Sequence, residues 1–146
     1  MSNTKTFFAE FQSLNEMLHF VKNYCLTRGF NSSEIYKINV ATEEALVNII
    51  CHAYPHDSKE TIEISCEDCQ DKPGVKILIK DQGTPFNPIE NKDKIKEKHR
   101  QYLQENVIGG WGIFLYIKIM DGVEYNRDGK TNTLCFIKYK DERSER

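Results

Sequence analysis

The stretch EEALVNIICHAY at residues 43–54 decides how the chain is expected to fold. It continues a pattern in which apolar side chains recur at helical spacing, at Ile35, Ile38, Ala45 and Ile49. Asn31 can cap this helix, and Glu34 three residues later can reach back to form a capping box. Pro55 ends the pattern because proline cannot continue a helix. The sequence therefore predicts one amphipathic helix from about Asn31 to Pro55.

Two polar residues of this helix are candidates for chemistry. Glu44 and Asn48 lie four residues apart, on the same side of the helix and at the edge of its apolar stripe. A carboxylate and a carboxamide at a core margin can face a pocket, where their oxygens suit a hard cation or the activation of a nucleophile. The alternative is a solvated Glu beside a surface Asn, and the spacing by itself leaves both interpretations open.

The segments around this helix predict an α+β domain. A strand at residues 4–11 precedes a first helix that Gly29 stops, and alternating runs at 61–66 and 75–80 form a hairpin. Residues 87–107 are charged and poorly patterned, and an apolar helix follows them to Met120. Two closing strands at 123–126 and 133–140 meet in a turn at Asp128 and Gly129. Strands in hairpins predict a mostly antiparallel sheet with helices on one face.

Two glycine-containing segments offer contacts for a ligand. In DQGTPF at residues 81–86, Asp81 follows a strand and can accept a hydrogen bond from an exocyclic amine, while Gly83 lets a flat ring approach the backbone. In GGWGIF at residues 109–114, glycines at the start of a helix can present N–H groups to an anion. The segment at 109–114 is neither a P-loop nor a dinucleotide-binding fingerprint. An ordinary turn and a hinge before a core helix are the alternatives.

Composition excludes several classes of protein. A chain of 146 residues with 39% hydrophobic residues is expected to form one domain, 1–146, with its own core. A net charge of −2 gives no general attraction to nucleic acid or anionic membrane, and no apolar run is long enough to span a bilayer. The five cysteines are an odd number and include one CxxC, Cys66 and Cys69, without a second ligand pair. We therefore expect a cytoplasmic protein with unpaired packing thiols.

Taken in chain order, these segments resemble a known superfamily. Residues 43–54, 81–86 and 109–115 resemble the N-box, G1 box and G2 box of the GHKL, or histidine-kinase-like, ATPases, and residues 131–134 resemble the closing strand. The HAY ending at residues 52–54 is typical of the anti-sigma-factor serine/threonine kinases. The resemblance covers roughly residues 5–140. It implies the Bergerat fold, a two-layer α/β sandwich of helices on a mostly antiparallel mixed sheet, with Mg-ATP under a lid at about residues 87–109.

The resemblance also implies roles for particular residues. Glu44 matches the catalytic carboxylate and Asn48 the Mg²⁺ ligand, which also contacts the nucleotide. Asp81 matches the residue that recognises the adenine amino group, and Gly83 lies beneath the base. Gly110 and Gly112 match the phosphate-facing glycines, and Thr131 matches the threonine near the adenine. The remaining nucleotide-binding positions that the resemblance implies are Phe86 and Ile113.

The implied activity is that of a kinase that regulates transcription. Such a protein transfers the ATP γ-phosphate to a serine or threonine of a STAS-type anti-anti-sigma protein, binds a sigma factor, forms a homodimer and contacts no nucleic acid directly. An ATP-binding partner-switch module without phosphotransfer is the first alternative. The second is a detached catalytic domain of a two-component histidine kinase. His19 is not followed by Glu or Pro as in a phosphoacceptor box, and no pair of dimerisation helices precedes the domain, which disfavours that alternative.

Overall fold

A computed structural model describes residues 2–53, 60–85 and 118–141, so the predicted lid at 87–109 and the segment 109–114 lie outside it. Five strands form one sheet in the order β1-β2-β3-β5-β4, and all four pairings are antiparallel. The strands are β1 Ser2–Phe8, β2 Thr61–Asp68, β3 Gly74–Asp81, β4 Gly122–Asp128 and β5 Thr131–Tyr139. The helices are α1 Leu14–Thr27 and α2 Ser32–Asn48, with a 3₁₀ turn at Phe11–Ser13 and a π-helical turn at Ile49–Ala53.

One face of the sheet carries the core. Alternate residues of β2 and β3 are fully buried, because successive side chains of a strand point to opposite faces. The two helices place their own buried side chains in the same cluster, which includes Met17, Val21, Ile38, Leu46, Ile62, Ile64, Ile77, Ile79 and Phe136. The predicted α+β class, with helices packed on an antiparallel sheet, is confirmed.

The predicted start of α2 is confirmed in detail. The Asn31 side chain accepts a hydrogen bond from the backbone N–H of Glu34 at 2.8 Å, and the Glu34 carboxylate accepts one from the Asn31 N–H at 2.9 Å. The same carboxylate accepts a bond from the Asp141 N–H at 2.6 Å, so the start of α2 is tied to the chain beyond β5. At its other end, regular α-helix stops at Asn48 and continues as the wider π-helical turn.

Glycine ends α1 and closes the β4–β5 hairpin. Gly29 has φ +79° and Gly129 has φ +62°, a backbone region that glycine enters without steric cost. The hairpin pairs Asp128 with Thr131, which confirms the predicted β4–β5 hairpin, but its two-residue loop is Gly129 and Lys130, one residue later than the predicted Asp128–Gly129 turn. The register of β5 on β3 then sets Asn132 opposite Asp81, at the end of β3.

A polar cluster fixes α1 against β2. The Tyr24 hydroxyl donates to Asp68 Oδ1 at 2.7 Å, and Arg28 Nε donates to the same oxygen at 2.8 Å. The guanidinium also lies over the Tyr24 ring, 4.1 Å from its centroid. Burial and the bond to Asp68 raise the pKa of Tyr24 to about 12, and the bond from Arg28 lowers the pKa of Asp68. The cluster therefore holds the end of α1 at the end of β2.

Three of the five cysteines, Cys25, Cys66 and Cys135, are buried in the folded domain. Cys25 and Cys66 are fully buried in the core, and burial raises the pKa of each thiol to about 12. Cys69 is half-buried just beyond β2, so the two cysteines of the CxxC do not share one environment. This agrees with the predicted packing role of Cys66. Neither described helix is long and apolar enough to cross a lipid bilayer.

Candidate functional site

Glu44 and Asn48 lie at the margin of the helix layer. Both side chains are half-buried, while the neighbouring Ala41 and Ala45 are completely or almost completely buried in the core. Asn48 is the last residue of α2, immediately before the π-helical turn. Single π-helical turns within helices are frequent at functional sites. The pair is therefore neither core nor fully solvated, and its oxygens can face a ligand at the edge of the domain.

Asp81 is a buried carboxylate at the last residue of β3. Only 6% of the residue is exposed. Its Oδ1 accepts hydrogen bonds from the Gly83 N–H and from Asn132 Nδ2, each at 2.9 Å. The Gly83 bond closes a local turn of the kind that aspartate forms with the backbone two residues on. Oδ2 has no hydrogen-bond partner in the part of the chain that the structure describes, so it offers an acceptor to a ligand.

Asn132 was not among the residues expected from sequence, yet it organises this end of the sheet. Its Nδ2 lies 2.9 Å from Asp81 Oδ1, 3.1 Å from the Gly83 carbonyl and 3.3 Å from the Thr84 carbonyl. Its Oδ1 accepts from the Tyr125 hydroxyl at 2.5 Å and from Arg127 at 2.8 Å. Because donors surround one end of the amide and acceptors the other, its orientation is determined by the network.

Thr131, the expected neighbour of the adenine, lies on the other side of β5. It is half-buried and pairs with Asp128 in the hairpin, whereas Asn132 pairs with Asp81. Adjacent residues of a strand point to opposite faces, so only Asn132 shares the face of Asp81. The structure thus brings Asp81, Gly83 and Asn132 together without Thr131, whose role at the adenine stays a prediction.

The remaining expected contacts lie outside the described residues. These are Phe86, Gly110, Gly112 and Ile113. The candidate groups that can be described are therefore a carboxylate–carboxamide pair on α2 and, separately, a buried acceptor at the end of β3. An acceptor of this kind suits a ligand that carries an amino group, and oxygen donors on a helix suit a cation or a hydroxyl proton.

Comparison with known proteins gives the family. The family model described as "Histidine kinase-like ATPase domain" matches residues 7–138, which include both parts of the site. The chain belongs to this family. The resemblance found in the boxes of the sequence is thereby confirmed, and ATP binding is the property that the family description implies.

Two relatives are more specific. A serine-protein kinase RsbW of Oceanobacillus iheyensis is 32% identical over 103 residues, which cover 67% of this chain and 61% of the relative. A serine-protein kinase RsbW of Staphylococcus aureus is 32% identical over 116 residues, which cover 76% of this chain and 69% of the relative. The chain thus spans less than two thirds of the length of the first relative. Both are named as serine-protein kinases, which supports kinase activity at the level of the family.

Proposed function

We propose that the chain is an ATP-dependent protein serine/threonine kinase that acts as an anti-sigma regulatory factor. The observation that carries the proposal is the buried Asp81 carboxylate, whose Oδ1 is held by Gly83 and Asn132. A carboxylate fixed in this way can accept a hydrogen bond from the amino group of adenine through its other oxygen. Guanine presents a carbonyl at that position, so two acceptors would face each other. A site built around a buried polar group rejects such a ligand strongly.

Glu44 is the proposed general base. A half-buried carboxylate on α2 can take the proton of a serine or threonine hydroxyl as that oxygen bonds to the γ-phosphorus, while the bond from the γ-phosphorus to the bridging oxygen breaks and ADP leaves. Asn48, one helical turn further on, offers an amide oxygen to Mg²⁺. Magnesium is commonly held by one or two protein oxygens together with substrate phosphates, so this small donor set fits the ion. When bound, Mg²⁺ offsets phosphate charge.

The proposed partners follow from the family. We infer that the phosphorylated protein is a small STAS-type antagonist, that the second partner is a sigma factor, and that the chain works as a homodimer. The matches to two serine-protein kinases support the kinase part of this inference, and the HAY ending at residues 52–54 is the feature that favours the anti-sigma branch. The cytoplasm, where ATP and sigma factors occur together, is the proposed location.

A comparison of two neighbouring glutamates tests the proposed activity. Tagged protein is used to recover partners from the native cell with and without Mg-ATP, and phosphosites on the recovered proteins are mapped. Glu44→Gln keeps the size and hydrogen-bonding capacity of the side chain but cannot take a proton, so phosphotransfer falls by about 10²- to 10⁴-fold while ATP affinity survives. Glu43→Gln is the matched control, since Glu43 is also half-buried on α2 but points about 100° away.

Two outcomes contradict the kinase proposal. Unchanged phosphotransfer in Glu44→Gln removes this residue from the mechanism. Partners that the wild type captures only with ATP, without any phosphorylated residue, establish instead an ATP-dependent binding module.

A further inference from the structure

We propose that Asn132 is a positioning residue for nucleotide specificity: held by Tyr125 and Arg127, it fixes the Asp81 carboxylate so that one oxygen recognises the 6-amino group of adenine. The inference rests on the proposed ATP-binding function and adds to it three residues, Asn132, Tyr125 and Arg127, to which the resemblance assigns no role. It is carried by one continuous hydrogen-bond network that joins β3, β4 and β5 at the same end of the sheet.

The hydrogen bonds of Asn132 show that it acts through Asp81. A carboxamide nitrogen has two hydrogens, and Asn132 Nδ2 already has three acceptors within 3.3 Å, on Asp81, Gly83 and Thr84. Only 4% of Asn132 is exposed. Its donor capacity is therefore used within the protein, and the group left to meet a base is the carboxylate that it holds.

Residues of β4 hold the oxygen end of the Asn132 amide. The Tyr125 hydroxyl and Arg127 both donate to Asn132 Oδ1, and Arg127 also donates to the Gly83 carbonyl at 3.1 Å. An amide held by donors at one end and acceptors at the other cannot rotate without breaking bonds on both sides. Arg127 thus links the amide to the turn after β3, where Gly83 also bonds to Asp81.

The consequence of this network is geometric. With Oδ1 of Asp81 occupied by two donors, the direction in which Oδ2 points is set before a ligand arrives. Without Asn132, Oδ1 keeps only the Gly83 N–H, and the carboxylate can turn about its last torsion angle. An oxygen that is not held in place discriminates less well, because part of the binding free energy is then spent on ordering it.

A pair of nucleotides isolates this effect. Purine riboside triphosphate is ATP without the 6-amino group, so the ratio of the two affinities reports only the contact made by that group. We expect calorimetry on the wild type to show a preference for ATP of at least about tenfold, the size of a hydrogen bond to a charged group. Asn132→Leu keeps a similar volume without polar atoms, and the preference falls below about threefold. In an Asp81→Asn background, the same change leaves the ratio unaltered.

A milder variant keeps the test valid if Asn132→Leu does not fold. Tyr125→Phe removes only the hydroxyl that donates to Asn132 and lowers the ATP preference by about two- to fourfold. Tyr36→Phe is the matched control, because Tyr36 is 70% exposed on α2, and it leaves the ratio at the wild-type value. Circular dichroism and thermal unfolding establish which variants are folded.

The possible results separate the two proposals. A folded Asn132→Leu or Tyr125→Phe protein that keeps the full preference overturns the inference, as does an equal loss of affinity for both nucleotides, which marks a purely structural role. A wild type that binds neither nucleotide, or binds both equally well, overturns the proposed adenine recognition itself.

Discussion

Replacement of Asp81 by Asn tests how the site selects its base. Asp81 Oδ1 accepts bonds from the Gly83 N–H and Asn132 Nδ2. A carboxamide at this position keeps its oxygen toward those two donors, so its nitrogen must stand where the second carboxylate oxygen stood. The amino group of adenine then meets a donor instead of an acceptor. A hydrogen bond to a charged group contributes about 1.5–3 kcal/mol, so ATP affinity is expected to fall by at least about tenfold.

Calorimetric titration with ATP and GTP measures both the affinity for ATP and the preference for ATP over GTP. The wild type prefers ATP, and Asp81→Asn loses most of that preference because its N–H can donate to the guanine carbonyl. Asp71→Asn is the matched control, since Asp71 precedes the opposite end of β3 and bonds to Tyr139. The folded state of Asp81→Asn is expected to persist, because both donors to Oδ1 keep an acceptor.

Equal affinity of the wild type for ATP and GTP would refute this reasoning at its first step. Retention of ATP affinity within about threefold in a folded Asp81→Asn protein would refute the assigned contact, because the loss of a charge-assisted bond is larger than that.

Three further predictions concern the frame around the site. The hydroxyl of Thr42 is buried without a hydrogen-bond partner in the described structure, in a crevice with no room for water. Thr42→Val is therefore expected to raise the free energy of unfolding by about 1 kcal/mol and Tm by roughly 2–4 °C in thermal unfolding. A lower Tm would contradict this. Burial holds Cys25 and Cys66 as thiols, so both react with a thiol reagent at neutral pH only after unfolding in urea; rapid labelling of the native protein contradicts it. Arg28 lowers the pKa of Asp68 in the folded state, so the stabilisation from this pair is present above the pKa of the unfolded state and is lost as pH falls through the pKa of the folded state. The free energy of unfolding, measured in urea, is therefore expected to fall more steeply with decreasing pH in the wild type than in Asp68→Asn. The same dependence on pH in both proteins would contradict this.

The features that sequence predicted well are those fixed by local chemistry. The capping box of Asn31 and Glu34 involves residues three apart, and the end of α1 depends on the freedom of Gly29. The same holds for the alternating runs of β2 and β3, since a strand with one buried face needs an apolar residue at every second position. Each of these signals lies within one segment of the chain.

The cluster of Tyr24, Arg28 and Asp68 could not be predicted in this way. Its members come from α1 and from the end of β2, and Asp68 lies 40 residues after Arg28. Nothing in either segment requires the other, because neither a tyrosine near the end of a helix nor an aspartate at the end of a strand calls for a particular partner. Only the packing of the helix layer on the sheet brings them within hydrogen-bond distance.

The burial of Asn132 beside Asp81 was not predicted, but it follows from the sequence once the alternation of side chains along β5 is used. Leu134 and Phe136 are the apolar residues of β5 that a core-facing strand needs, and they pair with Ile79 and Ile77 of β3. With a side-chain period of two, the residue two positions before Leu134 faces the same way. That residue is Asn132, so the buried face of β5 begins with an amide. A shift of the register by one residue would bring a neighbouring threonine to Asp81 in its place. The alternation of β5, and not the similarity of a motif, therefore determines which side chain meets the carboxylate.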